Sequence, residues 1–154
     1  MDAERRIAEL GIELPPPPKP IGSYRPVVVA GSFAFVSGQT PSAEGRPLWS
    51  GKLGREVSIE EGQLAGRRCV VQALSALRDE LGSLDRVRRI VKVTVFVASA
   101  EGFTDQPKVA NGASDLLAEV FGEEGRHARA AVGVAELPLG VPVEVELIAE
   151  VQVP

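Results

Sequence analysis

The sequence is poor in the residues that build covalent staples and metal centres. Cys69 is its only cysteine and His127 its only histidine. One thiol excludes an intrachain disulfide, and one thiol with one imidazole cannot assemble the usual zinc ligand sets. The glycine-rich loops that cradle the phosphates of nucleotide and flavin cofactors are also missing, so no metal and no organic cofactor is expected. Positive charge is in the minority, with 17 Lys and Arg against 21 Asp and Glu and a formal net charge of −4. No bulk field exists to hold a polyanion, which argues against nucleic acid as a partner. No apolar run approaches the roughly 18 residues that suggest a membrane span. The opening MDAERRIAEL is charged from its second residue and lacks the basic, apolar, small-residue order of a secretory signal, so a cytoplasmic address is expected.

What is present is a chain of 154 residues, 44% apolar, a length that suits one hydrophobic core. Residues 1–20 read as an N-terminal arm. Ala3, Ile7 and Leu10 share one face of a short helix that Gly11 can end, and Pro15 to Pro18, followed by Lys19 and Pro20, are expected to run extended over the surface. Residues 21–154 read as the domain proper. Val27 to Ala30 and Phe33 to Ser37 flank Gly31-Ser32, the length and composition of a two-residue hairpin turn. Residues 40–57, which hold Pro41, Gly45, Pro47, Trp49, Gly51 and Gly54, read as a long ordered loop.

Ser58 with Glu61 three positions later makes a capping box for a first long helix, whose stripe of Val70, Leu74, Leu77 and Leu81 ends at Gly82. From Arg89 to Ala98, Val91, Val93, Val95 and Val97 alternate with the residues between them, the pattern of a strand. Thr104 or Asp105 can cap a second helix with Pro107 in its first turn, buried through Val109, Ala113, Leu116, Leu117 and Val120. Strands from Ala128 to Ala135 and from Val143 to Val153 close the chain. The order is therefore ββαβαββ, an α+β domain in which two long helices cover one face of a mixed sheet. The opposite face carries Phe, Ile and Val, and symmetric self-association would bury it.

Two charged residues frame the functional question. Arg129 stands near the start of a strand after a glycine-containing turn, where a guanidinium can hold a carboxylate through two parallel hydrogen bonds; an ordinary surface ion pair would look the same in sequence. Glu144 shares one face of the last strand with Glu146 and Glu150, and alternation alone does not separate the three. Ser37 and Gly38 can simply end a hairpin strand, Tyr24 can cap the core, and Asn111 lies near a helix start where amides commonly serve structure. His127 reads as a hydrogen-bonding loop residue and Cys69 as a buried, inert thiol.

Tyr24 after Ile21-Gly22-Ser23, FVSGQ at Phe35 to Gln39, KVTVFV at Lys92 to Val97, Asn111, and HARAAVGVAELPLGVPVEVE at His127 to Glu146 resemble the Rid (reactive intermediate deaminase, YjgF-like) family over about residues 20–152. The resemblance implies a chorismate-mutase-like fold and homotrimers with pockets between subunits. It also implies hydrolysis of enamines and imines such as 2-aminoacrylate to 2-keto acids and ammonia. Carried over by position, Arg129 would hold the substrate carboxylate and Glu144 would activate water and move protons. Ser37, Asn111, the backbone at Ala131, and Tyr24 from a neighbouring subunit would line the pocket. Ser23, Ser114, His127 and Ala131 depart from the commoner family pattern and point to a pocket of different shape. A non-catalytic protein that senses a small carboxylate is the alternative reading. A ribonuclease is a third, for which one histidine in an acidic chain is poor material.

Overall fold

The computed structural model describes residues 2–153. Its elements are α1 (Ala3–Glu9), β1 (Val27–Ala30), β2 (Phe33–Gln39), β3 (Ser42–Ala43), β4 (Arg46–Pro47), α2 (Ile59–Leu81), β5 (Val87–Ala98), α3 (Gln106–Phe121), β6 (Ala128–Val134) and β7 (Val143–Val151). The capping box forms as its residues predict: the Glu61 N–H donates to Ser58 Oγ, and the Ser58 N–H donates to Glu61 Oε1, each at 3.1 Å. Gly82 closes α2 at φ 84°, a conformation that costs a residue with a Cβ. At α3, Asp105 occupies the N-cap position, but its side chain makes no capping bond.

Five strands form one sheet in the order β1-β2-β7-β5-β6. Every pairing is antiparallel except β5 with β6, the pair joined through α3. The segment expected as a loop contains a small ribbon, β3 with β4, turned through Glu44 and Gly45 at positive φ. Helices α2 and α3 pack on one face against Val93, Val95, Val97, Val143, Val145, Leu147 and Ala149, all buried. Leu74, Leu77, Leu116 and Leu117 answer from the helices with no exposed surface, and burying each is worth about 1.5–3 kcal/mol.

Three features departed from simple periodicity. The alternation expected along β5 breaks at a register shift between Ile90 and Lys92, which turns Ile90 into the core and leaves Val91 only half-buried. A second shift, between Val36 and Gln39, makes a bulge in β2 where Ser37 and Gly38 were expected to end the strand. The first helix is also more than a surface appendage. Ala3 and Ile7 belong to the main core, while Leu10, the third residue of the expected stripe, is 40% exposed. Glu4 ties α1 down by accepting from Arg78 Nη2 at 2.6 Å, from Arg78 Nε at 3.1 Å and from the Leu84 N–H at 2.9 Å. Ser75 Oγ then donates to the Pro15 carbonyl at 2.6 Å, holding the proline run against α2.

The two long helices approach closely where α3 carries Gly112. A Cβ there would lie 2.1 Å from the Gln63 carbonyl oxygen, so only glycine permits the present spacing. Beside it, Gln63 Nε2 donates to the Lys108 carbonyl at 2.9 Å. Among the described residues the other sheet face has no such cover. Val28, Phe33, Phe35 and Val132 remain 41–49% exposed on it.

Candidate functional site

The candidate residues fall into two groups, and the first gathers where the edge strand β6 meets α3. Arg129 lies opposite Val93 of β5, so its side chain starts on the helix-covered side and reaches out to the flank of α3. There Nη1 donates to Asn111 Oδ1 at 2.8 Å and to Ser114 Oγ at 3.1 Å. Those two bonds use both hydrogens of Nη1. No hydrogen bond from Nε or Nη2 occurs among the described residues, so the side-on edge of the guanidinium keeps two parallel N–H donors in the geometry that matches a carboxylate.

Ser114 and His127 were missed as members of this group. His127 Nδ1 lies 2.7 Å from the Gly125 carbonyl, and Nε2 lies 2.9 Å from Ser114 Oγ. The hydrogen-bonding role expected of His127 is correct, but its connection to Arg129 was not visible in sequence. Burial lowers its pKa from the usual 6.5; the Gly125 carbonyl opposes this, and the charge of Arg129 adds to it. The one signal available beforehand was that Ser114 and His127 both depart from the commoner family pattern.

The second group sits on the open face at the β2 bulge. Glu144 leaves β7 toward this face, opposite Phe96 of β5, and packs on Gly38 so closely that a Cβ at position 38 would lie 2.3 Å from Glu144 Oε2. Burial raises the Glu144 carboxyl above its usual 4.5, and the nearby charge of Glu146 adds to this. Glu146 is exposed on the same face, whereas Glu144 is half-buried and packs on Gly38, a difference in surroundings that alternation alone could not show. Beneath the strand, burial and then the Glu144 charge push the Cys69 thiol well up, leaving it an un-ionised core residue. Ser37 sits at the bulge, where its Oγ donates to the Arg25 carbonyl at 2.6 Å and its N–H to the Pro26 carbonyl at 2.9 Å. These bonds fix the segment carrying Tyr24, which is 53% exposed.

One protomer does not bring the two groups together. Arg129 and Glu144 are separated by the whole of β5 and by the three-residue step from Val93 to Phe96 along it, with side chains on opposite faces. At usual strand spacing and rise this places their Cα atoms roughly 14 Å apart. Ala131 lies on the Arg129 side, half-buried against the core. Two clefts of the single chain lie elsewhere, one between the proline run and α2 at Leu14, Pro17 and Asp79, the other among Ser50, Lys52, Glu56 and Glu136. None of the site residues lines either cleft.

A mostly antiparallel sheet covered on one face by two helices, with an arginine and amide at its edge and a raised carboxyl on its bare face, defines a chorismate-mutase-like α+β domain. The profile of the family described as "YjgF/chorismate mutase-like, putative endoribonuclease" matches residues 4–151, and the chain belongs to that family. It is 49% identical over 145 residues to protein TCP17 of Trypanosoma cruzi, an alignment that spans 94% of this chain and 91% of that one. A protein of unknown function from Agrobacterium tumefaciens superposes with a TM-score of 0.89 at 42% identity, over 98% of this chain and 92% of its own. A 2-iminobutanoate/2-iminopropanoate deaminase of Dermatophagoides farinae is 30% identical over 143 residues, 92% of this chain and 95% of its own.

Proposed function

We propose that the chain hydrolyses small carboxylate-bearing enamines and imines to 2-keto acids and ammonia, at pockets shared between the subunits of a homotrimer. The observation that carries this reading is the division of the site. One protomer offers a guanidinium edge with two free donors at β6, and a raised carboxyl at β7 on the opposite side of the sheet. A neighbouring copy docked on the exposed Val28, Phe33, Phe35 and Val132 face would bury that apolar surface and bring its β6 edge toward Glu144. The named activity of the Dermatophagoides relative supports the reaction class.

In this arrangement the Nε and Nη2 hydrogens of Arg129 hold the substrate carboxylate, while its Nη1 donates to Asn111. The enamine takes up a proton on its terminal carbon to become an iminium. Water then attacks the C2 carbon while Glu144 of the other subunit accepts a proton from it. The proton passes to nitrogen, the C–N bond breaks as the Glu144 carboxylate takes the hydroxyl proton, and ammonia leaves a C2 carbonyl behind. A carboxyl whose pKa is raised by burial suits both halves of that shuttle, and such a group contributes about 10²- to 10⁴-fold in rate. Ser37, Tyr24 and the backbone at Ala131 line the cavity around the leaving nitrogen and the carboxylate.

The test is keto-acid and ammonia release from enamine generated in place by an amino-acid dehydratase. Arg129→Ala and Glu144→Gln proteins should each be nearly inactive. Co-assembled from equal amounts of the two, trimers should recover about one quarter of parental activity, because one shared site in four then draws both intact residues. Absence of turnover by the parental protein removes the deaminase reading, and turnover without recovery in mixed assemblies removes the shared site.

A further inference from the structure

The polar contacts behind Arg129 have a direction. The Gly125 carbonyl can only accept, so His127 Nδ1 must carry a hydrogen and donate to it. In the neutral ring Nε2 is then an acceptor, and the Ser114 hydroxyl donates to it. That leaves the Ser114 oxygen lone pairs for Arg129 Nη1. The chain of donors therefore runs from guanidinium to hydroxyl to imidazole, and from imidazole to backbone, with every polar hydrogen assigned.

We propose that Ser114 and His127 are positioning residues for the carboxylate pocket: they hold the Nη1 side of Arg129 so that its Nε–Nη2 edge meets the ligand, and anion binding at that edge is linked to protonation of His127. The inference rests on the reading of Arg129 as the carboxylate anchor and adds to it a device built from this chain's own residues. Asn111 alone would leave the guanidinium free to rotate about one contact; a second acceptor on the same nitrogen fixes its plane. Protonating His127 places a second positive charge behind the guanidinium and forces the Ser114 hydroxyl hydrogen to find another acceptor. A bound carboxylate cancels the Arg129 charge and so makes that protonation easier.

Several other charged groups lie on the elements around the ring. Asp115 and Glu119 are on α3, with Glu119 paired to Arg67. Glu124 pairs with Arg89, and Glu123 with Arg126. Lys92 of β5 stands opposite Ala128. Of all these charges, that of Arg129 is the one that bears on the imidazole.

Because His127 is the only histidine of the sequence, its ring gives a single set of imidazole signals in heteronuclear NMR of the purified protein. The neutral ring should be the Nδ1–H tautomer. Saturating pyruvate should raise the titration midpoint, and by reciprocity pyruvate should bind about 3- to 10-fold more tightly below that midpoint than above it, the scale of one charge felt across several ångströms. His127→Gln should remove this part of the pH dependence while any contribution from Glu144 persists. Ser114→Ala should uncouple the imidazole from pyruvate and raise KM for enamine with kcat little changed, and Ser114→Thr, which keeps the hydroxyl, should restore both.

Pyruvate binding with an unmoved His127 titration overturns the inference and leaves the deaminase reading intact. So does an Nε2–H tautomer, or a threonine variant no better than alanine. Failure of pyruvate to bind the parental protein overturns both.

Discussion

Glu4 and Glu144 are both partly buried carboxylates, yet their surroundings push them in opposite directions. Burial alone would raise Glu4, but the hydrogen bonds from Arg78 and the Leu84 N–H, with the charge of Arg78, outweigh it and hold the group below 4.5. Among the described residues Glu144 receives no such donors, so burial and the charge of Glu146 prevail and the group rises. A carboxylate whose donors are supplied within its own chain serves to fasten a helix. One left without them on an uncovered face suits the proton transfer proposed for Glu144.

The sharpest test of that contrast is catalytic. Glu144→Gln should reduce kcat for enamine hydrolysis by about 10²- to 10⁴-fold while keto-acid affinity stays within a few-fold, the pattern of a group that acts mainly in the transition state. The parental kcat should fall as pH drops through the raised Glu144 pKa. Parental turnover by the glutamine protein would remove Glu144 from the chemistry. Gly38→Ala probes the same residue without altering it. Its new Cβ would displace the flexible end of Glu144, and kcat should fall by up to about 10²-fold, the cost of roughly 1 Å of misplacement. The melting temperature should change little, and a large drop would mean that Gly38 serves the bulge instead.

Arg129→Ala should weaken pyruvate binding in calorimetry by about 1.5–3 kcal/mol, the value of a charged hydrogen bond, with lysine a poor substitute because it lacks the planar fork. Unchanged affinity would place the pocket elsewhere. The last two expectations concern stability and should have opposite signs. Glu4→Gln should cost about 1 kcal/mol at neutral pH, since the pair with Arg78 is partly exposed. A lowered carboxyl stabilises above its unfolded pKa and loses that contribution as pH falls through the folded value, so the variant should converge on the parent in acid. For Glu144 the raised folded pKa means the ionised form is disfavoured by folding at neutral pH. Glu144→Gln should therefore melt slightly higher there, and the gain should vanish below about pH 4.5, where the parental carboxyl is protonated in both states. Equal signs for the two variants, measured by calorimetry across pH, would break the comparison.

Much of the framework was legible because it is encoded locally. The Ser58–Glu61 box, the Gly82 stop and the Gly31-Ser32 turn each depend on neighbours a few residues away, and the helix and β7 stripes repeat at fixed periods. The bulges at Ile90 and at Ser37–Gly38 were not legible, because a register shift is decided between strands and leaves the residue types unchanged. The candidate residues Arg129, Glu144, Ser37, Asn111, Tyr24 and Ala131 came from resemblance, and the sequence itself could not choose among the acids of β7. The choice becomes physical only once Gly38 is seen to leave Glu144 its space. Ser114 and His127 were noted as departures, but their contact with Arg129 exists only when α3 lies alongside β6.

The glycine at 112 gives that dependence a longer reach. It lies between Asn111 and Ser114 in sequence, and what fixes the height of all three above the sheet is the Gln63 carbonyl on another helix. Any side chain introduced there must lever α3 away from α2, and the lever's other arm carries both acceptors that steady the guanidinium. A laboratory evolution experiment that selects for new substrates should therefore find its adjustments behind the pocket as well as in it, with exchanges at Gln63 and neighbouring α2 positions retuning ligand choice through displacements of the helix as a whole.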